Sequence, residues 1–350
     1  MKNLNIFDKK INIMSKRIIK ISLILLSIIA VITFQAFRPD EPIKIGLSMG
    51  NAAAERWAKD RAIFEKTVTQ IGGIVLFSIA NSDTTNQIEQ AKRLISQGVK
   101  VLVVVPADGE KAAAIVELAH KANIKVIAYD RLIKNCALDY YISYDSEKVG
   151  ELQAKNVSQQ KPTGQYILIG GPLVDNNSKL IKKGQMKVLS PLIAKGSVKI
   201  ILDQALSSWT EQEAFALMDD FLTKGEKVPD VILAASDRLA MGALKALKKH
   251  NLNGKVLVTG QDADLDACKE ILAGNMSMTV YKPIKPLAYT AAITAMSLAK
   301  GEPVNDATDT ISNGKVKVPS IILTPFAIDK NTVQNVVIDG HLKDTDLFKK

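Results

Sequence analysis

Hydrophobic residues after position 42 recur in short runs that alternate with longer amphipathic stretches. The runs are rich in β-branched residues and have the continuous apolar character of strands that are buried on both faces. The stretches between them, such as 55–71 and 86–97, carry apolar residues at helical spacing. Strand–helix alternation predicts an α/β fold built from parallel sheets with helices on both faces.

Eleven strands are predicted in this way, and together they suggest two lobes. They are IKIGLSM, GIVLFSI, VKVLVVVP, IKVIAYD, YYISYD, QYILIGG, VKIILDQAL, DVILAAS, KVLVTGQD, MSMTVYK and SIILTP. Near residues 140–145 two strand-like runs follow one another without a helix between them. This break indicates that one doubly wound parallel-sheet lobe ends there and that a second begins.

The first 40 residues are predicted to be a signal peptide or a membrane anchor. A basic segment, KRIIK, precedes ISLILLSIIAVITF, an apolar run of 14 residues. Secretory signals have apolar runs of about 7–15 residues, whereas a membrane-spanning helix needs about 20. No cysteine follows the run, so a lipoprotein anchor is excluded. Both alternatives predict export to the periplasm or cell envelope.

Charge and composition narrow the function classes. The 350 residues are 47% hydrophobic, which is enough for a sizeable core, and the formal net charge is +10. Residues 1–36 hold six Lys or Arg and one acid, and the remaining positive charge is scattered. No basic stripe is interleaved with aromatic residues, so a nucleic-acid partner is not expected. Cys136 and Cys268 lie in different halves of the repeating pattern and are predicted to be unpaired thiols.

Polar side chains collect where the predicted strands end. Ligands of open α/β sheets bind outside the carboxyl ends of the strands, so these residues are the candidate site. The candidates include both tryptophans of the chain, and they are Arg56, Trp57, Asp130, Arg131, Asn177, Trp209, Ser236, Asp262 and Lys282.

This mixture of side chains suits a sugar. A pyranose has apolar faces that stack on aromatic rings and a rim of hydroxyls that donate and accept hydrogen bonds. Ionised Asp only accepts and Arg only donates, so Asp130 and Arg131 are expected to grip neighbouring hydroxyls as a mutually neutralising pair. Each feature also has a simpler interpretation: a structural ion pair, a tryptophan of the core, or asparagines that cap a helix.

Catalytic and cofactor motifs are missing from the sequence. It contains no G-x-x-x-x-G-K-[ST], no G-x-G-x-x-G after the first strand and no H-E-x-x-H. The segment DADLD lacks the glycine and the glutamate that a calcium loop of the EF-hand type needs. We therefore expect no cofactor, no metal and no enzymatic activity.

With these residues in view, the chain resembles the periplasmic D-xylose-binding proteins of bacterial ABC transporters, within the type I periplasmic binding protein superfamily. The resemblance runs from about residue 43 to the C-terminus and is carried by ERWAKDR, AYDR, YISYDSEKVGELQAK, GGPLVDNNSKL, GQMKVL, TGQDADL, MTVYKPI and VPSIILTP. It implies two lobes joined by a three-segment hinge near residues 145–147, 281–283 and 319–320. The amino-terminal lobe would comprise 43–146 and 283–319, and the carboxyl-terminal lobe 147–281 and 320–350.

The resemblance also implies a site and partners. The sugar contacts of the family fall on eight of the nine candidates, whereas Ser236 stands where the family usually has Asn. The implied ligand is D-xylose or a related aldopentose or aldohexose, bound by a monomer that closes around it and delivers it to an ABC permease.

Other functions remain open from the sequence. One is a membrane-anchored receptor subunit for a sensor kinase, and another is a sugar-processing enzyme, which no motif supports. A transcription regulator with the same lobes would need an amino-terminal DNA-binding helix pair, and the apolar segment stands in its place.

Overall fold

The computed structural model describes residues 41–51, 56–225, 227–304 and 307–348, together with positions 20 and 22. The chain divides into two units, Met1–Pro42 and Ile43–Lys350. The predicted signal or anchor lies outside the described residues apart from those two positions. Within the described residues, no helix combines the length and the hydropathy needed to cross a bilayer. All elements that follow belong to Ile43–Lys350.

The first lobe is built on a seven-stranded sheet. Its strands are β1 (Ile43–Met49), β2 (Gly73–Ile79), β3 (Val101–Val105), β4 (Lys125–Tyr129), β5 (Tyr140–Tyr144), β11 (Asp309–Ser312) and β12 (Lys317–Leu323). Their order across the sheet is β11-β12-β5-β4-β3-β1-β2, and every neighbouring pair is parallel except β11–β12. All five residues of the central strand β3 are buried, because helices cover both faces of the sheet.

The second lobe is built on a six-stranded sheet. Its strands are β6 (Gly164–Gly170), β7 (Val198–Ala205), β8 (Val231–Ala234), β9 (Leu257–Gln261), β10 (Met278–Tyr281) and β13 (Phe326–Ile328). Their order is β13-β10-β9-β8-β6-β7, and only the β10–β13 pair is antiparallel.

Helices cover each sheet on both faces. Those of the first lobe are α1 (Arg56–Gln70), α2 (Thr84–Ser96), α3 (Ala113–Lys121) and α9 (Ile284–Lys300). Those of the second lobe are α4 (Ser146–Gln160), α5 (Asn176–Ala194), α6 (Glu211–Thr223), α7 (Asp237–Lys249), α8 (Leu265–Ala273), α10 (Asn335–Ile338) and α11 (Asp344–Leu347). In the first lobe, α1 and α9 form one apolar core with the sheet, and α2 and α3 form another on its opposite face. The predicted α/β fold with two parallel-dominated sheets is confirmed.

Two strands and the ends of two helices differ from the predicted pattern. The strands β11 and β13 are short and antiparallel. Three of the four residues of β11 are exposed and β13 has only three residues, so neither has the longer apolar run that identifies a buried strand. The helices predicted for 55–71 and 86–97 are α1 and α2, and position 55 lies outside the described residues.

The chain passes between the lobes three times. It leaves the first lobe after β5, returns between β10 and α9, and leaves again between β12 and β13. The third crossing therefore lies at 324–325, and the prediction of 319–320 is wrong. Pro319 and Ser320 pair with β11 inside the first sheet, and the carbonyl of Leu323 still accepts from the N–H of Asp145 at 3.0 Å.

Two neighbouring side chains at the first crossing are held by hydrogen bonds. Asp145 caps α4, and its carboxylate accepts from the N–H of Lys148 at 2.9 Å. The hydroxyl of Tyr144 donates to the carbonyl of Pro283 in the second crossing at 2.6 Å. The two cysteines lie well away from these segments in sequence: Cys136 packs in the core of the first lobe and Cys268 in the core of the second.

Candidate functional site

The carboxyl ends of the two sheets enclose one polar cavity. It contains about 550 Å³ of space, including the part that is open to solvent. Eight of the nine predicted site residues line it, and Asn177 lies directly behind. The lining residues are Asn51, Arg56, Trp57, Asp130, Arg131, Asp175, Trp209, Ser236, Arg238, Gln261, Asp262 and Lys282. The structure therefore brings most of the predicted residues together at one cavity, to which both lobes contribute.

Asp130 and Asp262 occupy equivalent positions in the two lobes. Each directly follows the last residue of a strand. The N–H of Asp130 donates to the carbonyl of Ile142, and the N–H of Asp262 donates to the carbonyl of Val280, both at 2.8 Å. Both have positive φ, +61° for Asp130 and +106° for Asp262. Aspartate tolerates this left-handed region better than most residues do, and the bend turns each carboxylate into the cavity.

Arg56 joins these two carboxylates. Its Nη1 lies 3.3 Å from an oxygen of Asp130 and 3.3 Å from an oxygen of Asp262, and its Nε donates to Asp60 at 3.2 Å. Burial disfavours the charged guanidinium, but the carboxylates of Asp60, Asp130 and Asp262 outweigh this effect and raise the pKa of Arg56 well above its ordinary value. Arg56 is therefore a fixed cation at the centre of the site.

Lys282 supplies a second cation from the crossing segment after β10. Its Nζ lies 3.1 Å from Asp262 and 3.7 Å from Asp130, and its side chain is 5% exposed. Burial by itself would raise the pKa of both aspartates, but Lys282 and then Arg56 lower it below the ordinary value. Both carboxylates are therefore ionised acceptors at neutral pH.

A buried pair supports Arg56 from behind. The hydroxyl of Tyr129 donates to Asp60, whose other oxygen receives the Nε of Arg56. Burial raises the pKa of Asp60 and raises that of Tyr129 well above its ordinary value. Neither residue lines the cavity, so they fix the guanidinium rather than reach a ligand.

Arg131 has a different partner from the predicted one. Its Nε lies 2.8 Å from Asp175 of the second lobe, whereas the salt-bridging cations of Asp130 are Arg56 and Lys282. The prediction that Asp130 and Arg131 form one pair is therefore wrong. Both side chains still line the cavity, but each forms its ion pair with a different group.

The two tryptophans lie on opposite lobes. The guanidinium of Arg56 lies 4.7 Å from the ring centroid of Trp57, which is buried in the first lobe. Trp209 belongs to the second lobe, and its indole N–H donates to Asp175 at 3.2 Å. A Cβ at position 171 would stand 2.4 Å from the Trp209 ring, so only Gly171 permits this approach.

Asn177 and Ser236 bind mainly to protein groups. The amide nitrogen of Asn177 donates across the cleft to the carbonyl and the carboxylate of Asp130, at 3.2 and 3.3 Å. Ser236 caps α7, and its hydroxyl oxygen accepts from the N–H of Leu239 at 3.4 Å. Ser236 also lines the cavity. The helix cap considered for the asparagines belongs instead to Asp175, the residue before them.

The nine predicted site residues leave out four residues that line the cavity. They are Asn51, Asp175, Arg238 and Gln261. Gln261 is the last residue of β9, and Arg238 is the second residue of α7, so both lie at the predicted ligand edge. Their position at this edge was the only sequence feature that could have identified them. A glutamine has no charge, and an arginine near the start of a helix is common on protein surfaces, so neither residue type pointed to a site.

Several buried polar atoms at the site keep unused hydrogen-bonding capacity. Within the described part of the chain, four of them make no hydrogen bond: Nη2 of Arg56, Oδ1 of Asp130, Oδ1 of Asn177 and Oε1 of Gln261. Leaving such an atom buried and unsatisfied costs about 1–3 kcal/mol, more for a charged group. Asp130 Oδ1 makes ion pairs with Arg56 and Lys282, so its free capacity is a remaining lone pair. One donor and three acceptors, of which only the oxygen of Asn177 belongs to a residue behind the cavity lining, suit a small ligand with several hydroxyls.

The charges lining the cavity nearly cancel. Arg56, Arg131, Arg238 and Lys282 face Asp130, Asp175 and Asp262, and Asp60 lies behind them. Charge balance of this kind disfavours a strongly anionic or cationic ligand. Over the described residues, no group of His, Cys, Asp and Glu has an arrangement that could hold a metal ion.

Comparison with known proteins agrees with this geometry. A family model described as a periplasmic binding protein domain matches residues 45–303. The chain is 45% identical over 329 residues to the D-xylose-binding periplasmic protein of Haemophilus influenzae, covering 93% of this chain and 99% of the relative. It is 44% identical over 307 residues to the D-xylose-binding periplasmic protein of Escherichia coli, covering 87% of this chain and 92% of the relative.

A solved structure shares the same architecture. It is a carbohydrate transporter solute-binding protein from Chloroflexus aurantiacus in complex with D-glucose, with a TM-score of 0.82 and 30% sequence identity. The match covers 88% of this chain and 99% of that one. Two lobes with a polar cavity between their sheet edges, a matching family model and relatives of nearly full length agree: the chain belongs to the periplasmic binding protein family.

Proposed function

We propose that this chain is an extracytoplasmic receptor that binds a neutral monosaccharide, D-xylose first, and delivers it to an ABC transporter permease. One observation carries the proposal. Four buried polar atoms without hydrogen bonds lie at a cavity that two tryptophans border, and the charges around it nearly cancel. A pyranose meets all three conditions, because it has several hydroxyls, apolar faces and no charge.

Each site residue then has a role in recognition. Asp130, Asp262 and the oxygen of Asn177 accept from sugar hydroxyls, and Arg56, Arg131 and Lys282 donate to them. The rings of Trp57 and Trp209 pack against the apolar faces. Hydrogen bonds to charged groups are worth about 1.5–3 kcal/mol each, so a few of them distinguish one arrangement of hydroxyls from another.

Both lobes supply contacts, so binding and closure are coupled. Arg56, Asp130 and Arg131 come from the first lobe, Asn177, Trp209 and Asp262 from the second, and Lys282 from a crossing segment. A sugar that contacts both lobes stabilises the closed arrangement by its differential affinity for it. The closed form would then be the one that the permease recognises.

The choice of D-xylose rests on the relatives. Two proteins that are 45% and 44% identical over most of the chain are D-xylose-binding periplasmic proteins. The glucose-bound structure at 30% identity supports a monosaccharide more generally. The same relatives support a location in the periplasm and a role as a receptor.

The site chemistry also argues against glycoside hydrolysis. Such enzymes pair an ionised carboxylate with a carboxylic acid whose pKa is raised. Here the cations lower the pKa of both Asp130 and Asp262. Asp60 has a raised pKa but lies behind Arg56 and does not line the cavity. The carboxylates therefore serve as binding groups.

Isothermal titration calorimetry tests the proposal. Purified protein, with bound sugar removed by unfolding and refolding, is titrated with D-xylose, D-ribose, L-arabinose, D-glucose, D-galactose and D-xylonate. We expect saturable binding of at least one neutral aldose, tightest for D-xylose, and none of the anion D-xylonate. Absence of heat with every neutral aldose, or tighter binding of D-xylonate, would contradict it.

A further inference from the structure

The carboxylate of Asp175 lies where the two lobes meet. One oxygen, Oδ2, receives the Nε of Arg131 from the first lobe at 2.8 Å and the indole N–H of Trp209 from the second lobe at 3.2 Å. The other oxygen accepts from the N–H of Asn177 at 2.9 Å, where Asp175 caps α5. Asp175 is 4% exposed, so water competes little for these bonds.

Some of these contacts of Asp175 can form in the open arrangement of the lobes, and one can form only in the closed arrangement. Trp209 and Asn177 belong to the same lobe as Asp175, so their bonds need no closure. Arg131 follows β4 of the first lobe and meets Asp175 only while the lobes are together. A charge-assisted bond shielded from water is stronger than a neutral one. It therefore adds to the stability of the closed arrangement alone.

We propose that Asp175 is a positioning residue that couples closure to the orientation of Arg131 and Trp209. It acts through those two side chains, which the proposed function places against the sugar, so the inference rests on that function. On closure its carboxylate fixes the guanidinium of Arg131 while it already holds the indole of Trp209. The bridge keeps the closed complex together and slows release of the sugar.

Replacing Asp175 by Asn separates the bridge from the helix cap. Asparagine caps helices as well as aspartate does, so its amide oxygen keeps the bond from the N–H of Asn177. Its amide nitrogen then takes the place of Oδ2 and accepts from neither Arg131 nor the indole, and the negative charge is gone. By stopped-flow fluorescence we expect Asp175→Asn to raise the dissociation rate of D-xylose roughly tenfold and to change the association rate by less than about threefold. Asp220→Asn is the matched control, because Asp220 is an exposed partner of Lys224 on α6.

An indole N–H spectrum reports on positioning directly. The chain has two tryptophans, so Trp57→Phe identifies the Trp209 signal. We expect this signal to move upfield in sugar-free Asp175→Asn, because the indole N–H loses its carboxylate acceptor. In a double-mutant cycle with Arg131→Gln, adding Asp175→Asn should raise the dissociation rate by less than about threefold, because the bridge is already lost.

The outcomes separate this inference from the proposed function. If the unaltered protein binds no monosaccharide, the proposed function fails and the inference fails with it. If it binds D-xylose but Asp175→Asn releases it at the unaltered rate, only the inference fails and Asp175 is a helix cap. A loss of affinity carried by the association rate would also overturn it. Should Asp175→Asn unfold, Asp175→Ser keeps a cap, is too short to reach Arg131, and must show the same faster release.

Discussion

Asp130 in the first lobe and Asp262 in the second share one backbone arrangement. Both have positive φ, both donate an N–H to the following strand, and both lie 3.3 Å from Nη1 of Arg56. They differ in what holds them. The carbonyl of Asp130 receives the hydroxyls of Ser143 at 2.7 Å and Tyr141 at 3.2 Å, which belong to its own lobe.

Asp130 and Asp262 also differ in their position relative to Arg56. Arg56 is in the same lobe as Asp130, whereas it reaches Asp262 across the cleft. The side chain of Asp262 is also more exposed, 14% against 5%. The first lobe therefore carries an acceptor next to its own arginine, whereas Asp262 has Lys282 of the crossing segment at 3.1 Å and gains Arg56 only on closure. Arg56 thus reaches the two equivalent acids at different stages.

The largest loss of stability and affinity is expected from changing Arg56, which contacts both Asp130 and Asp262. Arg56→Met leaves Asp60 buried without its cation and leaves Asp130 with Lys282 alone, and breaking a buried pair costs about 3–5 kcal/mol. We expect the free energy of unfolding in urea to fall by that amount and xylose affinity to fall at least about 100-fold. Arg61→Met on the same helix is the control, because its pair with Glu65 is 42% and 35% exposed. Equal effects of the two substitutions would contradict the account.

The next effect separates Asp130 from Asp262. Each change to Ala should cost about 1.5–3 kcal/mol of binding, roughly 10- to 150-fold in dissociation constant, because a charged acceptor is lost. Only Asp130→Ala should also lower the melting temperature of the sugar-free protein, because Asp130 is packed within its own lobe beside Arg56. Calorimetry and thermal unfolding measure the two quantities. A greater thermal loss in Asp262→Ala would reverse the comparison.

A smaller effect concerns pH. The pKa of Asp130 and that of Asp262 are lowered in the closed protein, so ionised carboxylates favour that form. This contribution is present above the ordinary carboxyl pKa of 3.8 and is lost as the pH falls through the lower pKa of the closed protein. Xylose affinity should therefore be constant from pH 8 to about pH 5 and weaken only below about pH 4. A loss centred near pH 6 would indicate a different controlling group.

The smallest effect is expected at Ser236. Asparagine and serine cap helices equally well, so Ser236→Asn should keep α7 intact and leave the melting temperature nearly unchanged. The longer amide reaches the cavity from the second lobe, and we expect the dissociation constant of D-xylose to change by less than about threefold. A tenfold loss of affinity measured by calorimetry would contradict this expectation and show that the side chain at position 236 takes part in binding.

Much of this site could be predicted from the sequence because parallel strands deliver their last residues to one edge. Buried apolar runs located that edge, and charge at the end of a run such as KVIAYDR marked Asp130 and Arg131. The strands β11 and β13 were not predictable in this way, because edge strands need no apolar run. The position of the third crossing depended on how far β12 continues, which its pairing with β5 decides.

Partners across the cleft were beyond sequence reasoning. Adjacent charges suggested that Asp130 pairs with Arg131. In the structure Arg131 forms its ion pair with Asp175. Asp130 forms ion pairs with Arg56 and Lys282. These residues are far apart in the chain. Arg56 meets Asp130 through packing within the first lobe, and Arg131 meets Asp175 only where the two lobes come together. Gln261 was missed for a related reason. Its amide oxygen is a candidate ligand contact because it is buried without a hydrogen bond, and this depends on neighbours that the sequence does not identify.

A crystal structure of the protein with D-xylose tests the central claim most directly. We predict one pyranose between Trp57 and Trp209, with hydroxyls within hydrogen-bond distance of Asp130 Oδ1, Asn177 Oδ1 and the Nη2 of Arg56. Asp262 should contact the same sugar from the second lobe. A sugar bound outside this cavity, or one that leaves the three atoms unsatisfied, would contradict the account.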